Sequence, residues 1–442
     1  MTGTNWAGNL TYAATTLHEP STVDELVDIV RGAPHLRALG SRHSFNHIAD
    51  TDAAQVSVAR LPVVVDVDAS AREVTVSAGL RYGELVEQLD REGWALPNLA
   101  SLPHISVGGA ISTGTHGSGD CNGSLASAVA ALRFVTADGE LRHARRGDDD
   151  FDGMVVGLGV LGILTAVTLD IVPTFEVRQD LFEHLPWSDV VEHFDAITSS
   201  AYSVSMFTDW SDGGPHQVWT KSRADVAPVT QLFGARLATA ELHPLPGVDA
   251  GATTRQLGLA GPWWDRLPHF RLEYTPSDGN ELQTEYLVPR DVALEAIGAV
   301  RGLREQLAPI LLVSEIRTIA RDDLWLSPSH SVDCVALHFT WRLDVPAVEA
   351  FLPSLDDALA PFAARPHWGK VFTTTPERLL AAYPRLPQLR ALAERLDPAG
   401  TFRNELTDTW LARLSPVSGA ATSRRAIPGV TAGSPRPRRA RT

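Results

Sequence analysis

The chain has 442 residues, 44% of them hydrophobic, which is enough apolar material for two domains rather than one core. Its formal net charge is −15, and six of its arginines lie in an acid-free tail after Leu414. Without that tail, 32 basic residues stand against 53 acidic ones, a balance of −21. Such a surface repels phosphate backbones, so no nucleic-acid partner is expected.

The sequence contains no targeting or membrane signal that we can identify. It has no uninterrupted apolar run of about 18 residues, and residues 1–9 lack the basic and then apolar pattern of a secretory signal. We therefore predict a cytoplasmic protein without a membrane partner. Cys121 and Cys334 have no CxxC or Cys/His spacing, so neither a disulfide framework nor a metal site is predicted, and both are expected to be packing residues.

Helices and short strands follow one another in the first part of the chain. The hydrophobic pattern predicts a helix over 21–31, with Thr22 and Glu25 spaced as a capping box. Further elements are then predicted in chain order: strands over 35–39, 63–67 and 73–78, a helix over 82–92, and strands over 129–136 and 164–171. The fold class is α+β, with more strands than helices.

Two glycine-rich stretches interrupt these elements. Residues 40–46, Gly-Ser-Arg-His-Ser-Phe-Asn, form a small-residue turn of the kind that brings backbone N–H groups to a phosphate. Residues 96–119 contain five glycines and no charged residue, which is unusual for an exposed loop. No GxGxxG opens a βαβ unit and no GxxxxGK[ST] is present, so neither the dinucleotide fingerprint nor the P-loop applies.

The second part of the chain is richer in aromatic strands. We predict strands over 201–210, 217–221, 311–319 and 335–341, a long helix over 290–307, and a helical piece over 379–414. These elements favour an antiparallel sheet with helices on one side. The predicted domains are 1–177, completed by 380–414, then 178–379, followed by a disordered tail over 415–442.

Polar residues recur with strand periodicity in this second part. Glu315 and Arg317 lie two residues apart and therefore share one face of their strand, as do His338 and Thr340. The segment 366–372 adds His367 and Lys370. An ion-pair network unrelated to catalysis is the alternative explanation for the charged pair. Lysine is almost absent, with only Lys221 and Lys370 in the chain, so each is a candidate for a specific role.

The segments 40–46, 103–109, 114–117 and 157–162 occur in an order and spacing that resemble the vanillyl-alcohol oxidase, or PCMH-type FAD-binding, family of flavoproteins. The strings Thr-Asn-Trp-Ala-Gly-Asn, Ala-Ser-Leu-Pro-His-Ile-Ser-Val and Ala-Arg-Pro-His-Trp-Gly-Lys-Val-Phe resemble its alditol-oxidising (xylitol-oxidising) members. The resemblance extends from residue 5 to about residue 414. It implies a PCMH-type FAD-binding domain of two α/β subdomains and a substrate (cap) domain with an antiparallel sheet covered by helices.

The resemblance also implies a flavin site. His43 would bond covalently to FAD, and single attachment is expected because 101–107 contains no cysteine. The residues implied to hold the cofactor are Ala38, Leu39, Gly40, Ser41, Arg42, His43, Ser44, Ser101, Ser106, Gly109, Thr113, Gly114, Thr115, His116, Ile163 and His367.

For the substrate, the resemblance implies oxidation of the terminal CH2OH of an alditol such as xylitol or sorbitol, with O2 reduced to H2O2. The residues implied to surround the alcohol are Ser101, Glu315, Arg317, His338, Thr340 and Lys370. We assign stabilisation of the developing alkoxide to Arg317 and Lys370. Either His338 or Lys370 accepts the hydroxyl proton, and the sequence does not choose between them. Glu315 orients the distal hydroxyls or Arg317.

Two alternatives stay open. An aldonolactone oxidase or dehydrogenase of the same family would share the flavin half and differ in the substrate face. A non-catalytic sugar- or flavin-binding protein would keep the fold alone. By family analogy we expect a monomer, and we interpret the arginine-rich tail as a solvated extension.

Overall fold

The computed structural model describes residues 2–274 and 280–411. Its strands are β1 (Thr16–His18), β2 (Leu36–Ala38), β3 (Ala54–Val56), β4 (Val65–Asp68), β5 (Glu73–Ser77), β6 (Trp94–Ala95), β7 (Val129–Val135), β8 (Leu141–Arg145), β9 (Ile163–Asp170), β10 (Val172–Pro173), β11 (Glu176–Glu183), β12 (Ser203–Thr208), β13 (Gln217–Arg223), β14 (Arg236–Leu237), β15 (Gly261–Pro262), β16 (Glu281–Pro289), β17 (Leu311–Ile319), β18 (Cys334–Arg342) and β19 (Arg365–Pro366). Its α-helices are α1 (Val23–Gly32), α2 (Tyr82–Arg91), α3 (Val107–Ser112), α4 (Phe151–Val155), α5 (Trp187–Thr198), α6 (Ala293–Arg301), α7 (Arg304–Leu307), α8 (Val345–Leu359), α9 (Pro376–Ala382), α10 (Leu386–Leu396) and α11 (Glu405–Trp410).

Two sheets organise the first part of the chain. A parallel sheet has the strand order β1-β3-β2, and an antiparallel sheet has the order β4-β5-β9-β7-β8. The loop that follows β2 begins with Gly40, at the edge of the cavity described below. The predicted strands and helices of this region are confirmed, with ends that shift by one or two residues.

Helix α1 illustrates how the local sequence fixes an element. Leu26 and Val30 are buried on its inner face, as the apolar spacing predicts. The Thr22 hydroxyl accepts a hydrogen bond from the Glu25 backbone N–H at 3.1 Å, so the predicted cap is present. The Glu25 carboxylate accepts mainly from the Ser21 backbone N–H, at 2.7 Å, and more weakly from that of Thr22, so the reciprocal contact of the predicted box is centred one residue earlier.

The second part of the chain forms one large antiparallel sheet. Its strand order is β14-β11-β13-β12-β17-β18-β16-β19, and β15 pairs with β11 at one end. Helices α5, α6 and α8 cover one face, where Leu337, Phe339 and Trp341 of β18 are fully buried. His338 of the same strand points to the opposite face and lines a cavity. The predicted antiparallel sheet with helices on one side is confirmed, together with the α+β fold class.

Several predicted details differ from the structure. The helix predicted over 290–307 is a short 3-10 turn followed by α6 and α7, which are separated by a turn over 302–303 where Leu303 leaves helical geometry. The helical piece over 379–411 is divided into α9, α10 and α11, with a non-helical segment over 397–404. Strand β16 was not predicted. Cys334 is buried as expected, whereas Cys121 is exposed, so the packing role predicted for Cys121 is wrong.

Residues 412–414 of the predicted helical piece and the predicted disordered tail over 415–442 lie outside the described residues. The domain limits near residues 177 and 380 stay a prediction. Among the helices of the described chain, none is both long and apolar enough to cross a membrane.

Candidate active site

A cavity of about 350 Å³ lies between the glycine-rich loops and the uncovered face of the large sheet, within the range of about 300–1,000 Å³ typical of small-molecule sites. The predicted site residues that line it are Ala38, Leu39, Gly40, Ser41, Arg42, His43, Ser44, Ser101, Ser106, Gly109, Thr113, Thr115, His116, Ile163, Glu315, Arg317, His338, Thr340, His367 and Lys370. Gly114 is the exception. It has φ +67, and a Cβ there would lie 2.9 Å from Pro328, so its backbone shapes the turn.

Strand register explains why charged side chains meet on the sheet. Glu285 of β16 lies opposite His338 of β18, and His338 lies opposite Glu315 of β17. Residues directly opposite one another across a ladder put their side chains on the same face, about 4.5–5.5 Å apart. Arg317 faces the same way because side chains alternate with period 2. The structure therefore brings together residues that are distant in sequence.

Arg317 is the centre of this cluster. Its Nη2 lies 2.5 Å from Glu285 Oε1, and its Nε lies 3.6 Å from Glu315 Oε1. Its Nη1 donates to the Ser101 hydroxyl at 3.1 Å. All three charged side chains are at most 7% exposed, so each charge depends on its partners for compensation. The cation thus connects the sheet to the loop that carries Ser101.

Burial and neighbouring charge act in opposite directions on the pKa of the Glu285 and Glu315 carboxylates. Burial alone would raise the pKa of Glu285, but Arg317, His116 and His338 hold it well below its usual value. Burial would likewise raise the pKa of Glu315, and Arg317 and His269 keep it lowered. Both groups are therefore ionised at neutral pH and act as hydrogen-bond acceptors.

Lys370 lies beside this cluster. Its ammonium donates to Gln283 Oε1 and lies 5.0 Å from the centre of the Phe45 ring. Burial lowers the pKa of Lys370 to about 8, an effect that Glu285 opposes and Arg317 reinforces. A lysine with this pKa exchanges a proton near physiological pH.

Three histidines adjoin the same carboxylate or its strand. His116 Nε2 lies 3.4 Å and His338 Nδ1 lies 3.5 Å from Glu285. The remaining nitrogen of His338 lies 3.3 Å from the Thr340 hydroxyl. His367 Nδ1 accepts a hydrogen bond from the Gly369 backbone N–H at 3.1 Å, so its proton is on Nε2 when the ring is neutral. Burial lowers the pKa of His338 and His367, so both rings are neutral.

On the opposite side of the cavity, two serines connect the glycine-rich loops. The Ser41 backbone N–H donates to the Ser106 hydroxyl at 3.3 Å, and the Ser106 backbone N–H donates to the Ser41 hydroxyl at 3.0 Å. The Ser41 hydroxyl also lies 3.1 Å from His43 Nδ1. Trp6 stacks on the His43 ring at 5.6 Å. These contacts fix the position of the imidazole at the cavity wall.

The residues on this side fit FAD. His43 Nε2 is buried without a hydrogen-bond partner in the described chain, and burial lowers the pKa of His43 to about 4. A Cβ on Gly40 would lie 2.7 Å from the Ser106 hydroxyl, and one on Gly109 would lie 3.0 Å from it. Glycine is therefore needed where the two loops approach each other. An unpartnered neutral imidazole beside a backbone cradle suits a flavin and its pyrophosphate.

The sequence reasoning missed Glu285, Gln283 and His269, which all line the cavity. Glu285 and Gln283 carry a signal that could have identified them, because the polar residues of β16 recur with period 2. His269 is in a loop, where no periodicity points to it. Lys221, singled out by composition, is fully buried behind the cavity wall.

Comparisons with known proteins agree with this geometry. Residues 14–145 match the model of an FAD binding domain, and residues 280–414 match that of D-arabinono-1,4-lactone oxidase. An alditol oxidase from a Streptomyces species is 51% identical over 404 residues, which cover 91% of this chain and 97% of that protein. An L-gulono-1,4-lactone dehydrogenase from Mycobacterium tuberculosis is 29% identical over 423 residues, covering 91% of this chain and 97% of the relative.

Among solved structures, cholesterol oxidase from Brevibacterium sterolicum superimposes with a TM-score of 0.73 at 14% identity, covering 92% of this chain and 96% of that one. That likeness shows the PCMH-type fold alone. The identity with the Streptomyces enzyme goes further, because it spans nearly the whole of both chains. The chain is an FAD-dependent oxidoreductase and belongs to the alditol oxidase family within the vanillyl-alcohol oxidase flavoproteins.

Proposed function

We propose that this enzyme oxidises the terminal CH2OH of alditols such as xylitol and sorbitol to the aldehyde, with O2 reduced to H2O2. The observation that carries the proposal is the polar face formed by Glu285, Glu315, Arg317 and Lys370, which lines the same cavity as the flavin loop. A polyol has a hydroxyl on every carbon, and each one donates and accepts a hydrogen bond. The two carboxylates on this wall can accept hydrogen bonds from such hydroxyls, and the two cations can donate to them.

The polar wall also provides selectivity. A substrate without the distal hydroxyls would leave buried charged groups unpaired. Sites built to hydrogen-bond a hydroxyl reject analogues that lack it by about 10⁴-fold. We assign Ser101, Glu315, Arg317, Thr340 and Lys370 to substrate binding.

Oxidation of the alcohol removes the hydroxyl proton and a hydride from C1. FAD held by the glycine-rich loops would supply the acceptor for that hydride, with O2 as the final oxidant. Arg317 is a cation buried beside the cavity and stabilises negative charge on the substrate oxygen, and Lys370 adds to this once it has accepted the proton. We propose Lys370 as the proton acceptor, since its pKa of about 8 makes the neutral amine available. His338 is held by Glu285 and Thr340 and positions rather than deprotonates the substrate.

We further propose that His43 bonds covalently to the flavin. The imidazole is neutral and buried, and its Nε2 has no hydrogen-bond partner among the described residues. A nitrogen that bonds covalently to a carbon of the flavin has to be free in this way. A covalent imidazole withdraws electron density from the ring and makes it a better hydride acceptor. Most of the residues proposed to hold the flavin would come from 1–177, and most of those proposed to hold the substrate from 178–379.

A lactone oxidase or dehydrogenase is the second candidate, because residues 280–414 match a lactone oxidase model and one relative is a lactone dehydrogenase. Product analysis separates the two. The purified enzyme is incubated in air with xylitol, sorbitol or L-gulono-1,4-lactone, and aldehyde and H2O2 are measured. We expect one aldehyde and one H2O2 per polyol consumed. Turnover of the lactone alone would contradict the proposal.

A further inference from the structure

Lys221 is one of two lysines in the chain, and its side chain is fully buried without lining the cavity. From β13 its ammonium donates to the backbone carbonyls of Leu267 and Pro268 at 2.6 and 2.9 Å. Its third contact is to His269 Nδ1 at 3.0 Å. All three N–H groups of the ammonium therefore have an acceptor, and two of these acceptors are carbonyl oxygens that cannot donate.

His269 connects this buried lysine to the active site. Its Nε2 lies 2.8 Å from Glu315 Oε1, and its backbone N–H donates to the Ser101 carbonyl at 3.0 Å. Phe207 and Trp219 enclose the ring at 5.6 and 5.2 Å between centroids. His269 thus contacts two residues that we assign to substrate binding.

The donors and acceptors in the series Lys221–His269–Glu315 determine the tautomer of His269. Glu315 is an ionised carboxylate that can only accept, so the Nε2 atom must carry a proton. Nδ1 then receives its hydrogen bond from Lys221. Burial, reinforced by Lys221, lowers the pKa of His269 to about 4, which agrees with a neutral ring. Burial lowers the pKa of Lys221 as well, but its three acceptors require three N–H donors, which only the ammonium form has.

We propose that Lys221 is a positioning residue for substrate specificity: it holds His269 as a fixed donor to Glu315, and thereby aims the remaining lone pairs of that carboxylate at the distal hydroxyls of the polyol. This inference rests on the proposed alditol oxidation. It extends the site by two residues, one of which never contacts the substrate.

Lys221→Met tests the relay, because methionine keeps the length and packing of the side chain and removes its donors. We expect the visible flavin spectrum to be retained and kcat/KM for xylitol to fall about 10- to 100-fold, the usual size of a lost hydrogen bond to a charged group. The loss should be in KM. With 1,2-propanediol, which lacks the distal hydroxyls, kcat/KM should stay close to that of the wild type.

The matched control is Thr220→Val. Thr220 is the neighbouring buried residue of β13 and donates to the Asp180 carbonyl at 3.0 Å, away from the cavity. It should lower stability and leave the ratio of kcat/KM for xylitol over 1,2-propanediol unchanged. An unchanged ratio in Lys221→Met with flavin bound would overturn the proposal.

The pH profile separates positioning from packing. The charged groups that face His269 are Lys221 of β13 and Glu315 and Arg317 of β17. Burial remains the main effect that lowers the pKa of His269 in Lys221→Met, but loss of the neighbouring cation should raise that pKa above its value of about 4 in the wild type. KM for xylitol in the variant should therefore rise as the pH falls through an acidic range in which KM of the wild type stays flat. A packing role alone would produce no new ionisation.

Nitrogen-15 NMR of histidine in the wild-type holoenzyme gives a test that needs no active variant. The His269 signals, assigned by their absence in His269→Phe, should show Nε2 protonated and Nδ1 unprotonated at pH 7. Protonation of Nδ1 alone would overturn the proposal that Lys221 donates to His269. If wild-type flavin is bleached by neither xylitol nor 1,2-propanediol, the proposed function fails. The tautomer measured by NMR still shows in that case whether Lys221 and Glu315 hold His269 as proposed.

Discussion

The Glu285 carboxylate contacts one cation and two histidines. Its carboxylate lies against Arg317, His116 and His338 at 2.5, 3.4 and 3.5 Å. A buried cation with one partner removed is left uncompensated, which is more costly than never having had the pair. Glu285 therefore holds Arg317 in place as well as neutralising it.

We predict that Glu285→Gln lowers the free energy of unfolding by about 3–5 kcal/mol, the usual cost of breaking a buried ion pair, and lowers kcat/KM for xylitol. Denaturant titration and steady-state kinetics measure the two effects. The control is Asp357→Asn in the exposed pair with Arg378, where the change should be below about 1 kcal/mol. Equal effects of the two variants would contradict the role assigned to Glu285.

Lys370 gives a pH prediction with a definite sign. Burial lowers its pKa to about 8, and only the neutral amine accepts a proton, so kcat/KM for xylitol should rise with pH through about 8 and then level. Lys370→Arg keeps the positive charge but does not deprotonate in this range, so the rise should disappear and the rate should fall. If His338 were the base, the rise would lie below about pH 6.5 and survive in Lys370→Arg.

His43 is tested by the fate of the chromophore. We predict that acid precipitation of the wild type leaves the yellow colour on the protein, and that precipitation of His43→Ala releases it to the supernatant. The variant should also oxidise xylitol more slowly, because the electron-withdrawing substituent is lost. Release of the colour from the wild type would contradict covalent attachment.

Among the elements, β18 has residues that stabilise the fold on one face and residues that line the cavity on the other. Leu337 packs against the helices on one face, and Thr340 lines the cavity on the other. We expect Leu337→Ala to cost about 2–5 kcal/mol of stability through the cavity that it creates, with little change in KM. Thr340→Val should raise KM for xylitol with little change in stability. Unfolding curves and kinetics on both variants check this, and a reversed pattern would contradict the assigned faces.

The strands of this sheet also show how far sequence reasoning reaches. The alternation in β17 and β18 predicted which side chains share a face, because a period of 2 is a local property. Whether Glu315 meets His338 depends on register between strands, which no local pattern contains. To identify Glu285 as a site residue, one has to predict β16 and also know its register against β18, so the sequence reasoning missed it. The long helix predicted over 290–307 is interrupted by a turn over 302–303 between α6 and α7, where Leu303 is not helical.

At the scale of the whole molecule, the loops that suit the flavin come from the first part of the chain, and the polar sheet face comes from the second. Both line one cavity. The resemblance to a flavoprotein family predicted this division, whereas composition indicated only an acidic protein with material for two domains. Cavity shape and the contacts of His269 with Lys221 and Glu315 required the folded chain, because they join segments that are not neighbours in sequence.

The most direct test of alditol oxidation by this enzyme is anaerobic mixing of the purified protein with xylitol and with sorbitol while the visible spectrum is recorded. We expect rapid bleaching of the flavin absorbance, reversed with release of H2O2 when air is admitted. Persistent colour with both polyols, together with bleaching by L-gulono-1,4-lactone, would contradict the proposed function.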